Sequence, residues 1–393
     1  MPGLNQSPTD LDFVQNPYPF YARARALGPL VHWADYGMAA TTTHAATNAI
    51  LRDRRFGREV PPGTAPAIPD RLAPFYAIEA HSMLELEPPR HTRLRALVLR
   101  AFTSRRIAAL GPDIDALCHQ LVDSFPNSEF DLLAAYCTPI PVIIIARLLG
   151  VPETMAPELL AWSNAMVSMY QARRTPEMEQ AAADAARDFS GFLRGYVDQR
   201  RATPADDLIT HLIAAEEDGE KLSTDELIST CILLLNAGHE ATVHTLGNGV
   251  KALCDNGPKP EWLADDGIDN TVEEILRHDP PLHMFTRHAY EDVTLFGHDF
   301  RRGDQVACLL ASANHDPAVF ADPQHFNPAR SAKSQLGFGA GIHFCVGAPL
   351  ARLELKIALQ TLFRRCPGLC PCVPPAYASS YHFHGLEQLV VAG

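Results

Sequence analysis

The sequence predicts a mostly α fold with a minor β region, an α+β chain whose sheet comes late. Three observations predict it. Apolar residues recur at helical spacing from about residue 90 to 200. A second helical run, from Thr224 to Cys254, is preceded by a start signal. Short segments separated by turn residues are confined to residues 285–310 and 386–391.

Taken in order, Val60 to Pro74 is rich in proline and reads as a long loop, which in a compact protein is often functional. After Pro88-Pro89, the residues Leu94, Leu97, Val98 and Ala101 form one helical stripe, and proline suits a helix start. The helical region to about residue 200 is broken near Pro126, Pro139, Pro152 and Pro176. Ser223 followed by Glu226 is a capping box that opens the long central helix. About thirty residues of helix span roughly 45 Å. Gly238 lies near its middle, where glycine costs about 1 kcal/mol against alanine, so a helix that keeps it needs space there. A further helix from Asn270 to His278 is stopped by Pro280-Pro281. Residues 285–310 read as short strands separated by turn signals at Gly297-His298 and Arg302-Gly303-Asp304, and a helix then follows Gly347 to about Arg365.

Composition narrows the function classes. A chain of 393 residues, 47% apolar and 20% charged, is neither disordered nor collagenous. With 33 basic against 46 acidic side chains it lacks the basic footprint of a nucleic-acid binder. Nine scattered cysteines, an odd number, suit a reducing cytosol better than a disulfide framework. Cys366, Cys370 and Cys372 contain no CxxC pair and sit among prolines, against standard zinc spacing. The N-terminus MPGLNQSPTDLDF has no signal architecture. The most apolar run, Pro139 to Leu149, is too short for a membrane span and contains Arg147. The expectation is a cytoplasmic chain with no membrane and no nucleic-acid partner.

The most informative stretch is Phe338-Gly339-Ala340-Gly341-Ile342-His343-Phe344-Cys345-Val346-Gly347. Its glycines allow positive φ and close approach to something flat or bulky. A cysteine just before a helix has its thiolate stabilised by the helix N-terminus and the surrounding N–H groups. Read alone, the loop is either a metal-ligating thiolate site or a glycine-rich turn around a buried cysteine. The pattern FGxGxHxCxG resembles the haem-binding loop of the cytochrome P-450 family. The resemblance implies haem b as cofactor, with Cys345 as the axial ligand of its iron and Phe338, Gly339 and Gly347 shaping the loop.

Other motifs follow in the family's order. Glu274-Ile275-Leu276-Arg277 matches the family's ExxR, and i,i+3 spacing puts Glu274 and Arg277 on one helix face. Such a pair by itself is often a surface ion pair worth little. The resemblance makes it a buried structural pair, with Arg330 of Phe326-Asn327-Pro328-Ala329-Arg330 completing a triad. His91 and Arg95 are i,i+4, so two donors share one face. The resemblance assigns them to haem propionates, together with Arg287 and His343.

Ala237-Gly238-His239-Glu240-Ala241-Thr242 is similar to the family's oxygen-activation segment. Gly238 then opens the helix for dioxygen, and Glu240 is the acid of an acid–alcohol pair that passes protons. Ala241 departs from the family, which usually has threonine there. Thr242 lies about 100° further round the helix and does not simply substitute. A helix distortion at Thr242, an ordered water or a substrate hydroxyl are the three replacements, with water or substrate preferred.

Leu233, Asn236, Ala237, Glu240 and Ala241 share a face at helical spacing, which the resemblance turns towards the substrate. Leu282, His283 and Phe285 fall beside the cofactor edge, and Phe75, Tyr76 and Ile78 in the proline-rich loop form a lid. Phe383 closes the pocket from the tail. The ligand is expected to be apolar, with Asn236 and His283 as hydrogen-bonding groups. Arginines number 28 against five lysines. Arg93, Arg100, Arg105 and Arg106 form a local basic patch that would dock an acidic electron donor.

The resemblance thus implies one haem-binding domain over residues 1–393, with roughly the first 15 residues flexible. It implies a monomeric monooxygenase that inserts one oxygen atom from O2 into a small molecule by hydroxylation or O-dealkylation. Electrons would come from NAD(P)H through a separate reductase and a [2Fe–2S] ferredoxin. The alternatives are a peroxide-driven enzyme on the same site, or a haem- or ligand-binding protein without turnover.

Overall fold

The structure, a computed structural model, describes residues 1–65, 67–171, 174–217 and 219–392. The strands that matter are β1 (Gly3–Leu4), β2 (Leu30–Trp33), β3 (Met38–Thr41), β4 (Phe56–Gly57), β5 (Met284–Ala289) and β6 (Gln305–Leu309). The helices are α1 (Ala73–Glu79), α2 (Arg90–Ala101), α3 (Pro139–Leu149), α4 (Ala156–Val167), α5 (Pro176–Ala202), α6 (Thr224–Asn256), α7 (Ile268–His278) and α8 (Ala348–Arg365). The fold is mostly helical with small sheets, as the sequence predicts. Two compact units can be described separately.

The first unit holds residues 1–64, 115–137 and 241–393. Its main sheet has six strands in the order β1-β2-β3-β6-β5-β4. Strand β6 runs parallel to β3, with Val306 opposite Ala39 and Cys308 opposite Thr41, and antiparallel to β5. Side chains alternate between two apolar layers. Leu30, Ala39, Val306 and Cys308 pack with Ile50, Leu51, Leu336 and Ala340. Val31, Trp33, Ala40, Ala307 and Leu309 pack with Phe13, Phe20, Tyr21 and Tyr381. The expectation that the sheet comes late is therefore corrected: four of its strands lie within the first 57 residues. Burial on both faces removes the apolar–polar alternation by which a strand is recognised.

The second unit, residues 65–114 and 138–240, is helical apart from a short hairpin. Thr175 caps α5 by accepting from Met178 N at 3.3 Å, with Pro176 at the first helical position. Trp162 of α4 stacks on Phe189 of α5 at 5.2 Å. Phe75, Tyr76 and Ile78 lie on α1 and not in a loop. Pro74 opens that helix, and Phe75 and Ile78 turn inward as one buried face. The basic patch is also smaller than expected, because Arg93 pairs with Glu226 and with Glu220 and Arg106 donates to Ala101 O at 2.7 Å.

Helix α6 begins as its capping box requires. Ser223 N donates to Glu226 Oε2 at 2.8 Å and Glu226 N to Ser223 Oγ at 3.2 Å.

On α8, Glu354 is buried and its Oε1 has no hydrogen-bond partner among the described residues. Burial pushes its carboxyl from the ordinary 4.5 up to about 8. Between those values the folded chain keeps a proton that the unfolded chain has lost, so stability falls as pH rises and levels off above about pH 8. Glu354→Gln is expected to flatten that slope. The difference between variant and wild type should change by at most about 4–5 kcal/mol across the window, read by chemical unfolding at a series of pH values. Parallel curves would show that Glu354 does not titrate in this way.

Candidate functional site

The loop before α8 is built on two left-handed glycines. Gly339 and Gly341 have φ of 71° and 73°, a conformation that strains any side chain. A Cβ on Gly341 would also collide with Leu51 O, and one on Gly339 would press on the Phe285 ring at 3.1 Å. Cys345 N donates to Phe338 O at 3.0 Å, which closes the loop and sets the thiol three residues before the start of α8. Cys118, Cys137, Cys231 and Cys308 are buried, whereas Cys345 is half-buried, and the rings of Phe338 and Phe344 in the same loop meet edge-on at 6.2 Å. Phe285 and Arg287 share one face of β5, and the Arg287 guanidinium, fully enclosed, lies 6.0 Å from the Phe285 ring.

Glu274, Arg277 and Arg330 meet as the motif requires. Arg277 donates from Nε to Glu274 Oε2 at 2.7 Å and from Nη2 to Oε1 at 2.8 Å, and both side chains are wholly inaccessible. Arg330 Nε donates to Glu274 Oε1 at 3.0 Å, and Asn327 N to the same oxygen at 2.8 Å. The remaining donors of Arg277 reach the carbonyls of Asn314 and Pro323 at 3.1 and 2.9 Å. The pair is therefore a hub that ties α7 to the segment leading to the cysteine loop, and not a surface ion pair.

Along α6, Leu235, His239, Thr242 and Val243 are buried, while Leu233, Ala237, Glu240 and Ala241 keep accessible surface. Gly238 has a packing reason of its own: a Cβ there would meet Ile145 Cδ1 of α3 at 2.8 Å. Asn236 is turned into the protein, with its Nδ2 3.7 Å from Met166 Sδ. One arrangement was not expected. His239 Nε2 lies 3.2 Å from Glu240 Oε2, and its Nδ1 lies 3.2 Å from Ser163 Oγ of α4. Ser163, His239 and Glu240 form a chain of polar contacts within the second unit, a hydrogen bond followed by an imidazole–carboxylate contact. Ser163 carries no sequence signal of its own.

In that unit His91 is buried on α2, and Arg95, one turn on, is half-buried. In the first unit His343 sits on the turn Gly341–His343 and is half-buried. Leu282 bridges to Phe383 in the tail, and both are half-buried. His283, expected beside them as a hydrogen-bonding group for the ligand, is engaged within the protein. It is fully buried, with Nδ1 2.9 Å from Tyr21 Oη and its ring against His384.

A thiol at a helix start, a glycine-built approach, phenyl rings in the same loop and an enclosed guanidinium on the neighbouring strand fit a large flat iron macrocycle that carries carboxylates. The cytochrome P450 family model matches residues 268–372, which include the ExxR triad and the cysteine loop. Cytochrome P450 monooxygenase PikC of Streptomyces venezuelae is 37% identical over 95% of this chain and 89% of that one. Polyketide biosynthesis cytochrome P450 PksS of Bacillus subtilis (strain 168) is 36% identical over 98% of both. A solved structure of P450BioI in complex with hexadec-9Z-enoic acid ligated acyl carrier protein superposes with a TM-score of 0.91. It is 33% identical over 97% of this chain and 99% of that one. The chain belongs to the cytochrome P450 family. It is an oxidoreductase of the monooxygenase class, with haem as cofactor and with O2 and redox partners as the class requires. No helix of the described residues is long and apolar enough to cross a membrane.

Proposed function

We propose that this monooxygenase hydroxylates or O-dealkylates a small, largely apolar molecule. Electrons pass from NAD(P)H through a separate reductase and a [2Fe–2S] ferredoxin. The observation that carries the reading is that Leu233, Ala237, Glu240 and Ala241, which share one helix face, keep accessible surface while Leu235, His239, Thr242 and Val243 are buried. Relatives named for polyketide biosynthesis and as a vitamin D(3) 25-hydroxylase support an apolar ligand.

Cys345 is the proposed iron ligand, and His91, Arg95, Arg287 and His343 the proposed propionate partners, all within one functional haem domain. Haem held by a thiolate supplies oxygen activation, because the electron-rich sulfur favours O–O cleavage. The chain's own part is proton supply and exclusion of water. Glu240 holds a proton at its carboxylate, and His239, oriented by Ser163, positions that carboxylate. Ala241 offers no hydroxyl, so an ordered water or a substrate hydroxyl completes the path.

A screen for substrate-induced spin shift on the purified protein, followed by turnover with NAD(P)H, reductase and ferredoxin, tests the reading. Expected are a type of ligand that shifts spin state and a hydroxylated or dealkylated product. Spin-shifting ligands without turnover under any electron supply would instead fit a binding protein. The missing threonine favours one rival, a peroxide-driven reaction, which predicts faster turnover with hydrogen peroxide alone than with the ferredoxin chain.

Two variants probe the relay. Ala241→Thr is expected to change product formed per NAD(P)H severalfold, with haem content unchanged, and unchanged coupling would count against a specialised path here. His239→Gln is expected to shift the pH profile of coupled turnover while the ferrous–CO spectrum stays as in the wild type. A profile identical to wild type would restrict His239 to packing.

A further inference from the structure

We propose that Asp279, His283 and His384 form a buried site for a divalent transition-metal ion, zinc by preference, separate from the haem chemistry. All three residues belong to the first unit. Asp279 ends α7, and Pro280-Pro281 then turn the chain so that His283 sits just before β5. The tail is fastened to this turn by His384 N, which donates to Pro281 O at 2.8 Å. Asn248 of α6 secures both sides, with Nδ2 3.2 Å from Asp279 O and 2.9 Å from His384 O.

One donor atom from each of Asp279, His283 and His384 lies within 4.8 Å of the other two, and all three residues are buried. His384 Nε2 faces Asp279 Oδ1 at 3.4 Å without forming a hydrogen bond. A tetrahedral zinc with bonds of about 2.0–2.2 Å separates its ligands by about 3.3–3.6 Å. That edge is already set, and the other donor pairs lie within 4.8 Å. His283 Nε2, His384 Nε2 and Asn248 Oδ1 are all enclosed and have no hydrogen-bond partner among the described residues. Three such atoms in one place are unusual, since enclosed polar atoms nearly always find partners.

The surroundings match those of a metal centre. Both imidazoles are enclosed, and each keeps one ring nitrogen without a hydrogen-bond partner among the described residues, placed to act as a lone-pair donor. Tyr21 Oη, 2.9 Å from His283 Nδ1, accepts that ring's N–H and leaves Nε2 as the lone-pair atom. Tyr18 and Tyr377 donate to the two oxygens of Asp279 at 2.5 and 2.6 Å and fix the carboxylate. A cleft of about 690 Å³, lined by Asn248, Asp279, Tyr377 and His384 among others, gives an ion its way in. Two imidazoles and one carboxylate leave a fourth position for water, an N2O set that suits zinc. Bound there, the ion would pin the tail around His384 to the turn after α7.

The test uses haem-loaded protein stripped with a chelator, incubated with Zn²⁺ alone, gel-filtered and assayed for metal. Co²⁺ serves as the spectroscopic probe. Expected are about one zinc per chain, lost in His384→Gln, and Co²⁺ bands of a tetrahedral N/O site without thiolate charge transfer. Tyr21→Phe, which removes only the orienting hydroxyl, should weaken zinc binding about 10- to 100-fold. No retained zinc, or full retention in a His384→Gln protein with an intact ferrous–CO spectrum, overturns the proposal. A thiolate band overturns it too, since it would place the metal on cysteine. If His384→Gln fails to fold, the wild-type Co²⁺ spectrum and Tyr21→Phe still decide. None of these readouts depends on monooxygenase turnover.

Discussion

Cys345→Ala is expected to abolish the thiolate signature of the ferrous–CO complex together with all ferredoxin-supported turnover. The side chain is small and half-buried, and the loop is held by its backbone: Cys345 N to Phe338 O, the left-handed turns at Gly339 and Gly341, and the start of α8. None of these contacts uses the sulfur, so the fold should survive the substitution. What is lost is the one ligand that the proposal gives the iron. A spectrum and activity equal to wild type in the alanine protein would sink the assignment of Cys345. The measurement is decisive because eight other cysteines remain as internal controls.

Glu274→Ala is expected to be the most destabilising single change away from that thiol. It strips Arg277, wholly inaccessible, of both carboxylate bonds and removes a 3.0 Å bond from Arg330. Leaving an enclosed guanidinium uncompensated costs about 3–5 kcal/mol. Part of that loss would appear as poor haem retention, because Arg277 and Arg330 also bind the carbonyls that route the chain towards residue 338. Urea unfolding of the holoprotein measures the cost. The double variant Glu274→Leu/Arg277→Met is expected to be less destabilised than Glu274→Ala alone, since removing both charges removes the unpaired one. A double variant worse than the single would place the cost in packing.

The features legible in the sequence are those written in local rules. The capping box at Ser223 and Glu226, proline before α2, and the i,i+3 spacing of Glu274 and Arg277 each involve neighbours within one turn. Helix ends accordingly fall where the sequence puts them, as with Ala348–Arg365. Residues that depend on partners far along the chain were harder to read. β1 is only two residues long, and β2 to β4 are short and largely buried on both faces, so they lack the alternating pattern that would reveal them. His283 lies where the resemblance expects a pocket residue, yet Tyr21 and His384, hundreds of residues away or in the tail, draw it inward. The Ser163–His239 contact joins helices 76 residues apart. Phe75, Tyr76 and Ile78 depart from the expected loop for a different reason: the prolines before them suggest a loop, but the last of them opens a helix.

The parallel pairing of β3 with β6 has a consequence for biosynthesis. Ala40 meets Ala307, so the centre of the main sheet cannot form until more than three-quarters of the chain has left the ribosome. Contacts that span such sequence distances are slow to form, because the intervening loop must be closed first. The cysteine loop depends on the same event, since Gly341 packs directly against Leu51 O in the early part of the chain. Strands β1 to β3 must therefore wait, unpaired at one edge, for a partner made last. If the cysteine loop holds the haem as proposed, cofactor capture is a late step, and expression conditions that starve the cell of haem should enrich a species with formed helices and an open sheet.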